Sequence, residues 1–323
     1  MSIRVTLACA ALTLASAAGS LSAQPHFPPS SITSVVPLGP GSASDTVARI
    51  ISQRLSELWK VPVVVENRPG ANGIPGTASV VRAPGDGTSL LWVASNHIIN
   101  ESLYRKLPYN GLKDLRPIAQ VGVAPLILVV SASSPANNLQ DLIRLAKAQP
   151  GKLNYGSAGS GSTTHLAGEI FREAAGIDVV HIPYKAIGQA TADLIGGTLD
   201  MLFLSPPTAM SHIKAGKMKA IGAASRQRLA IANEIPTLSE GGLPDFEVQA
   251  ILGLLAPASM PDAIAERISA DVVRIASNPE VQQAIVQTGL VPQPIAIRDF
   301  VVVVRRENEF WSRAVKASGA KAD

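Results

Sequence analysis

Two turns rich in glycine and serine have residue types suited to holding an anion. Residues 39–45 are Gly-Pro-Gly-Ser-Ala-Ser-Asp, and residues 156–162 are Gly-Ser-Ala-Gly-Ser-Gly-Ser. Each turn follows a short apolar run and precedes a segment with helical periodicity. The first N–H groups of a helix have no intrahelical acceptor and lie at the positive end of the helix dipole, which stabilises an anion. Two such turns, far apart in the chain, predict that one small acid is held from two sides.

The candidate ligand-binding residues lie in these turns and at the ends of predicted strands. Glycine permits close approach of the backbone to a ligand, and serine adds hydroxyl donors. We call residues 38–45 the first loop and residues 157–163 the second loop. The candidates in the two loops are Leu38, Gly41, Ser42, Ala43, Asp45, Ser157, Gly159, Gly161, Ser162 and Thr163. The candidates at strand ends are Ser95, Asn96, Tyr184 and Ser205, with His165 and Lys185 in supporting roles.

Several of these polar side chains also have an ordinary structural explanation. Asp45 is either an acceptor for a ligand amine or a carboxylate in the first turn of a helix. The second role is favoured because a ligand anion would repel another negative charge. Ser95 and Asn96 are either donors at the crevice or part of a turn cap. Tyr184 and Lys185 follow a strand end, where the lysine either lines the cleft or is simply exposed.

The N-terminus has the order of a Sec signal peptide. Arg4 precedes an uncharged run, and small residues lead to a cleavage site after Ala23, so residues 1–23 are expected to be removed. The apolar run is shorter than the roughly 20 residues that span a bilayer. Cys9, the one cysteine of the chain, lies inside this segment. The mature protein is therefore expected in the periplasm, without thiols or disulfides.

The histidine and cysteine content and the charge pattern do not favour a metal site, a catalytic site or a nucleic-acid interface. His165 and His181 lack a His-x-x-x-His or His-Glu pairing, and Cys-type metal sites are excluded, so we expect no metal. Ser162 and His165 lie on one predicted helix and cannot alone supply nucleophile, base and orienting acid, so His165 is expected to brace the second loop. The net charge of +4 comes from interspersed residues without a basic block, so nucleic acid is not an expected partner.

Residues 39–44 also imitate the glycine fingerprint of a dinucleotide-binding fold. The Gly-x-Gly-x-x-Ser run follows a strand, and Glu66 ends the next strand, but the third glycine of the fingerprint is missing. An exported protein seldom meets a dinucleotide. An exported dinucleotide-dependent enzyme is therefore a remote alternative, and no cofactor is expected.

Apolar runs alternate with helix-period segments almost to the C-terminus, a pattern typical of an α/β fold. Beyond a late strand near Leu252, residues 261–316 are predicted to be helical with breaks near Pro279 and Pro292. One strand cannot form a sheet alone, so it is expected to return to the first sheet. The result is two lobes, with crossover strands near Pro125 and Leu252 and the ligand cleft between the lobes.

The predicted domain boundaries follow from these crossovers. Residues 24–125 and 249–323 form lobe 1, and residues 126–248 form lobe 2. A chain of this length is expected to contain about two domains.

Several motifs resemble a known family in their order and spacing. They are Val-Pro-Leu-Gly-Pro-Gly-Ser-Ala-Ser-Asp at residues 36–45, Val-Glu-Asn-Arg-Pro-Gly-Ala at 65–71, Pro-Gly-Asp-Gly-Thr at 84–88, His-Leu-Ala at 165–167, His-Ile-Pro-Tyr-Lys at 181–185 and Pro-Thr-Leu-Ser-Glu at 236–240. On these motifs the chain resembles the Bug family, the extracytoplasmic receptors of tripartite tricarboxylate transporters. The similarity covers nearly the whole mature chain.

The resemblance implies a two-lobed periplasmic binding protein of the type II-like kind, closing on a carboxylate without catalysis. In this family the first and second loops act as pincers on carboxylate groups, largely through backbone amides and ordered water. The implied partners are membrane permease subunits, and the receptor is expected to be a monomer. Leu38, Ser42 and Ala186 replace the phenylalanine and glycines common in the family, so the ligand identity is not transferred from relatives.

The predicted function is therefore capture of a small carboxylate by lobe closure. The ligand classes that fit are di- and tricarboxylates, aromatic acids and acidic amino acids. The receptor is expected to deliver its ligand to a tripartite tricarboxylate-type transporter. An alternative is an orphan sensor that presents the same bound acid to a signalling partner, because both roles need the same closed surface.

Overall fold

The structure is a computed structural model that describes residues 27–322 of the chain. The predicted signal peptide, including Cys9, lies outside these residues. Among the described helices, none combines the length and the apolar character needed to cross a membrane.

Strands and helices alternate over most of the described chain. The strands are β1 Ile32–Val36, β2 Val63–Asn67, β3 Ser89–Ala94, β4 Leu115–Pro125, β5 Ile127–Ser131, β6 Asn154–Ser157, β7 Val180–Pro183, β8 Met201–Leu204, β9 Met218–Ala223, β10 Gln249–Pro257 and β11 Val291–Ala296. The helices are α1 Ala43–Trp59, α2 Ile74–Val81, α3 Ser95–Leu103, α4 Leu139–Ala148, α5 Thr163–Ala175, α6 Ile187–Ile195, α7 Pro206–Lys214, α8 Asp262–Ala276, α9 Pro279–Gln287 and α10 Ile297–Ser318. Short 3-10 helices occupy Ala71–Gly73 and Ala230–Ala232.

The strands form two sheets, one in each lobe. The first sheet has six strands in the order β11-β4-β10-β3-β1-β2, and the second has five in the order β7-β6-β8-β5-β9. β1 pairs in parallel with β2 and β3, and β6 pairs in parallel with β7 and β8. β10 pairs antiparallel with β3 and β4, and β5 pairs antiparallel with β8 and β9. The predicted α/β class and two-lobed architecture are confirmed.

The chain passes between the sheets at two points. β4 ends at Pro125 and β5 begins two residues later at Ile127. The chain returns at Gln249, which lies opposite Pro125 in the β10–β4 ladder. β10 then fills the position between β3 and β4, so the C-terminal segment completes the first sheet.

The two loops occupy equivalent positions in the two lobes. The first loop follows β1 and leads into α1, and the second loop follows β6 and leads into α5. Each of these strands lies among parallel neighbours, so each loop lies at the carboxyl edge of its sheet, where open α/β folds bind ligands.

The helices behind the two loops belong to different hydrophobic cores. Leu166 of α5 belongs to a core that spans both lobes and includes Leu103 of α3 and Trp311 of α10. Val47 and Ile51 of α1 belong to a separate core built within lobe 1. The second loop is therefore anchored where the lobes meet, and the first loop is anchored in one lobe.

Several segments differ from the prediction, and one of them, helix α2, was not predicted at all. Residues 291–296 form β11 instead of a break between helices, and Ser95 begins helix α3 instead of an isolated turn. The strand β4 extends over Leu115–Pro125, of which only the crossover near Pro125 was predicted. Pro292 and Pro294 fit β11 because it is an edge strand, where a missing N–H need not interrupt a ladder.

Candidate functional site

The first loop ends in a helix cap built by its own serine. Ser42 is the N-cap of α1, with φ −65° and ψ 155°, and its Oγ accepts a hydrogen bond from the Asp45 N–H at 3.2 Å. Gly41 precedes it with φ +78°, a left-handed conformation that favours glycine. The turn thus directs the start of α1 toward the open edge of the first sheet.

The Asp45 carboxylate is bound inside the first loop. It accepts hydrogen bonds from the Gly41 N–H at 2.9 Å and from Asn67 Nδ2 at 2.8 Å, and it pairs with Arg49 at 3.0 Å. Burial would raise the pKa of Asp45, but the hydrogen bonds from Arg49, Gly41 and Asn67 together lower it. The geometry therefore favours the structural role of Asp45 over contact with a ligand amine.

The second loop repeats this architecture with a histidine in place of the aspartate. Ser162 is the N-cap of α5, with φ −68° and ψ 157°, and its Oγ accepts from the His165 N–H at 3.2 Å. Gly161 has φ +76°, and its N–H donates to Nδ1 of His165 at 3.0 Å. His165 therefore braces the loop directly, by accepting a hydrogen bond from its backbone.

A cluster of aromatic and imidazole rings lies behind the second loop. The rings of His165 and His181 stack with centroids 3.9 Å apart, and Tyr155 lies 5.0 Å from His181. Ser157 Oγ lies 2.7 Å from Nε2 of His181, and the Tyr155 hydroxyl donates to Glu169 at 2.5 Å. Burial lowers the pKa of His165, and burial together with the neighbouring His165 lowers the pKa of His181 to about 4. Both rings are therefore uncharged near neutral pH.

Each loop leaves a pair of backbone amides free. Within residues 27–322, the N–H groups of Ala43 and Ser44 have no protein acceptor, and neither do those of Thr163 and Thr164. These are the first two residues of α1 and of α5, where the helix dipole favours an anion. The two pairs therefore give each lobe a backbone site that suits an anion.

The predicted site residues fall into two groups according to their solvent exposure. Those exposed or half-buried are Leu38, Gly41, Ser42, Ala43, Asn96, Gly159, Ser162, Thr163, Tyr184, Lys185 and Ser205. Those buried are Asp45, Ser95, Ser157, Gly161 and His165. The buried residues hold the loops and the strand ends in place, whereas the others are at least partly accessible from outside.

The strand-end candidates are occupied by contacts within the protein. Ser95 is fully buried, and its Oγ accepts from the Ile251 N–H at 2.9 Å and donates to Glu307 at 3.4 Å, so its hydroxyl is engaged within lobe 1. Asn96 donates to the Asn72 carbonyl at 2.9 Å. Tyr184 donates to Asp193 at 2.6 Å, which raises the pKa of Tyr184 to about 12.

Ser205 and Lys185 remain exposed at the edge of the second lobe. Ser205 precedes α7, and its Oγ lies 2.9 Å from Oγ1 of Thr208.

Sequence reasoning missed two residues that shape the loops. Asn67, at the end of β2, donates to the Leu38 carbonyl at 3.1 Å as well as to Asp45, and it accepts from Arg49 at 2.8 Å. Leu103 packs against the second loop so closely that a Cβ on Gly161 would lie 2.5 Å from its methyl carbons. The parallel neighbour of β1 was the available signal for Asn67, because adjacent parallel strands end at the same edge.

Two cavities lie away from the loops, with volumes of about 370 and 470 Å³. They adjoin each other at residues near the lobe connections, such as Val123, Arg226 and Gln249. Neither cavity is lined by a residue of the first or second loop. Within residues 27–322, no group of three His, Cys, Asp or Glu side chains could hold a metal ion.

Comparison with known sequences identifies the family. A profile described as "Tripartite tricarboxylate transporter family receptor" matches residues 47–319. The chain belongs to this receptor family. It is 34% identical over 290 residues to the "UPF0065 protein in tcbD-tcbE intergenic region" of a Pseudomonas species, covering 90% of this chain and 86% of that protein. It is 31% identical over 300 residues to protein BugT of Bordetella pertussis, covering 91% of each chain, so the resemblance to Bug proteins is confirmed.

Solved structures of receptors from this family share the fold. Rpa4515 of R. palustris with adipate matches with a TM-score of 0.79 and 26% identity, covering 92% of this chain and 99% of that one. MatC of Rhodopseudomonas palustris with bound malate matches with a TM-score of 0.74 and 29% identity, covering 90% of this chain and all of that one. The members of this family are solute-binding receptors and not enzymes, which removes the dinucleotide-dependent alternative.

Proposed function

We propose that this receptor captures a small carboxylate between the first and second loops and closes its lobes around it. The supporting observation is the matching pair of free amides, Ala43 with Ser44 in one lobe and Thr163 with Thr164 in the other. Two parallel N–H donors at the positive end of a helix suit the two oxygens of a carboxylate. A di- or tricarboxylate, or an acidic amino acid, can engage both loops, and an aromatic acid can engage one loop directly.

Lobe closure follows from the positions of the two loops. Each loop belongs to a different sheet, and the chain passes between the lobes where β4 leads into β5 and where it re-enters β10. A ligand that contacts both loops gains more interactions when the loops approach, so it favours the closed state by its differential affinity. Binding is therefore expected to compact the protein.

The relatives support the ligand class without fixing the ligand. Rpa4515 is described with adipate and MatC with malate, two dicarboxylates of different length. In this chain Leu38 packs against the lobe 1 core, and Ser42 is the N-cap that directly precedes the free amides of Ala43 and Ser44. We infer that these two side chains contribute to selecting the ligand by shape.

The proposed partner and location follow from the family. We infer that the receptor works in the periplasm after removal of residues 1–23, and that the closed form delivers its ligand to the membrane permease subunits of a tripartite tricarboxylate-type transporter. The receptor is expected to act as a monomer.

The free amides can be removed singly with little damage to the helices. Proline is accommodated at the first residue of a helix, and Ser42 and Ser162 already have the extended ψ that a following proline requires. Ala43→Pro and Thr163→Pro should each weaken binding of a recognised acid by about tenfold or more, the value of one hydrogen bond to a charged group. Titration calorimetry against adipate, malate, citrate, glutamate and benzoate measures this.

Matched variants keep the amide and change only the side chain. Ala43→Gly and Thr163→Ser should bind within about threefold of the parent protein, because their N–H groups remain. In small-angle X-ray scattering, the parent protein should have a smaller radius of gyration with the acid that binds most tightly than without any acid. If the proline variants bound the acid as tightly as the parent protein, the proposed site would be contradicted. If the acid bound without reducing the radius of gyration, the proposed closure would be contradicted.

A further inference from the structure

The stacked pair His165 and His181 is coupled to the second loop at both of the loop's ends. The His165 side chain is 4% exposed, and its Nδ1 accepts the Gly161 N–H at 3.0 Å. Nε2 of His181 lies 2.7 Å from Ser157 Oγ, which in turn accepts the Gly159 N–H at 3.1 Å. One ring therefore holds the end of the loop that leads into α5, and the other holds its beginning through Ser157.

The hydrogen bond at His165 defines a protonation state. Nδ1 accepts a hydrogen bond only when it carries no proton, so His165 must be the neutral Nε2–H tautomer. A proton on Nδ1 would place two N–H groups against each other and expel the Gly161 amide. Because the ring centroids are 3.9 Å apart, protonating both rings would also bring two positive charges into contact.

The groups around the two rings oppose protonation overall. Glu169 of α5 favours the charged rings, but it is already engaged by the Tyr155 hydroxyl and by Arg172 at 2.8 Å. Burial outweighs this effect at His165 and lowers its pKa, and burial together with the neighbouring His165 outweighs it at His181 and lowers the pKa of that ring. The helix α10, which packs against α5, contributes apolar residues to the same core: Trp311, Ala314 and Val315.

We propose that His165 and His181 are positioning residues that keep the second loop in its anion-binding form only while both rings are uncharged, so that ligand affinity falls when they gain protons. This inference rests on the proposed function, because the second loop is the proposed ligand contact. The first loop has no such dependence near neutral pH, since its equivalent acceptor is the Asp45 carboxylate. A bound anion favours protonated rings, and this alone would raise ligand affinity at low pH. A fall in affinity on acidification would therefore support the positioning role directly.

The first experiment needs no ligand. Long-range nitrogen–proton NMR of the parent protein at pH 7 should show His165 as the Nε2–H tautomer and His181 uncharged. On acidification, the Gly161 amide proton should shift together with the His165 ring. The inference would be overturned by an imidazolium at pH 7 or by a proton on Nδ1 of His165. It would also be overturned if the chemical shift of the Gly161 amide proton did not change as the His165 ring titrates.

The second experiment uses adipate and malate as probes. His165→Asn places an amide oxygen near the position of Nδ1, and His181→Gln places near Nε2 an amide that can donate to or accept from Ser157 Oγ. The double variant therefore keeps both contacts without titrating. Between pH 7.5 and pH 4 the parent should lose about threefold more affinity than the double variant. Comparing the two proteins cancels the contribution from titration of the acids themselves, because that contribution is the same for both. His212→Asn, in α7, is the matched control and should follow the parent protein.

The outcomes separate this inference from the proposed function. Identical pH profiles for the parent and the double variant, or affinity that rises on acidification, would overturn the positioning role. If neither acid binds at any pH, the proposed ligand class is contradicted for these two probes, while the NMR experiment still decides the role of the histidines.

Discussion

The first and second loops have the same backbone but different supports. Gly41 and Gly161 have φ values of 78° and 76°, and the N-caps Ser42 and Ser162 have ψ values of 155° and 157°. In each loop the glycine amide is accepted by the residue four positions later, which is Asp45 in one case and His165 in the other. One anion-binding geometry is thus fixed by two different chemistries.

The two supports keep the charge behind the amides small. Asp45 brings a negative charge close to the first loop, where it would repel a ligand carboxylate, but its ion pair with Arg49 neutralises it. His165 is uncharged and needs no counter-ion. In both loops the oriented amides are therefore the dominant field that the ligand meets.

The surroundings of the two glycines differ more than their conformations. A Cβ on Gly41 would meet nothing within 4 Å, whereas a Cβ on Gly161 would meet Leu103 of the other lobe at 2.5 Å. The second loop therefore contacts the other lobe at Gly161, whereas the first loop has open space at Gly41. This difference can be tested by identical substitutions in the two loops.

The largest difference is expected from alanine at the two glycines. Gly41→Ala should lower the free energy of unfolding by about 1 kcal/mol, the cost of a left-handed conformation in an L-residue. Gly161→Ala should lower it by about 3 kcal/mol, because overpacking against the buried Leu103 is added. Urea unfolding followed by circular dichroism measures both values.

A double variant isolates the contact between the lobes. Leu103→Ala removes the atoms that a Cβ on Gly161 would meet, so Leu103→Ala with Gly161→Ala should cost less than the sum of the two single changes. No such coupling is expected between Leu103→Ala and Gly41→Ala. Equal effects of alanine at both glycines would show that the asymmetry between the loops has no energetic consequence.

The fold was predictable where its signals were local. Alternating apolar runs and helix-period segments indicated the α/β class, and the return of the late strand to the first sheet followed from the impossibility of a one-stranded sheet. β11 was missed because Pro292 and Pro294 resemble helix breaks, and only its position at a sheet edge explains them. Edge position depends on strand order, which local patterns do not contain.

The site was predictable to a similar depth. The glycines and serines of both loops and the first-turn position of Asp45 are local features, but the serines were expected to donate to a ligand, and in the structure they accept helix N–H groups as N-caps. The contacts that fix the loops come from distant parts of the chain: Asn67 for the first loop, and His181 and Leu103 for the second. The stacking of His165 on His181 depends on the parallel pairing of β6 with β7, which has no signature in either segment.

A pH-dependent difference of intermediate size is expected between His181, which stacks on His165 behind the second loop, and Asp45 of the first loop. The folded pKa of His181 is about 4, below the unfolded value of about 6.5. The unfolded chain therefore binds the proton first, and stability falls as the pH drops from about 6.5 to 4. His181→Gln should remove about 2 kcal/mol of this loss, after allowance for the partial exposure of the ring. Urea unfolding from pH 7.5 to pH 4 measures it.

Asp45 contributes to the pH dependence of stability in a lower pH range than His181. Its folded pKa lies below the unfolded value of 3.8, so its contribution is present above that pH and is lost as the pH falls further. Asp45→Asn should therefore leave the slope of stability between pH 7.5 and pH 4.5 as it is in the parent. A change of slope in this range in Asp45→Asn, with none in His181→Gln, would reverse the assignment of the two supports.

The smallest expected difference tests the feature that the loops share. Ser42→Ala and Ser162→Ala each remove a side-chain acceptor for a helix N–H at 3.2 Å, and each should lower the free energy of unfolding by about 1 kcal/mol. Because the cap geometry is the same, the two losses should agree within about 0.5 kcal/mol. Ser42→Asp and Ser162→Asp should restore the cap while placing a negative charge next to the free amides. Calorimetry with a recognised acid should then show normal stability with weakened binding in both variants, and restored binding would mean that these amides do not contact the ligand.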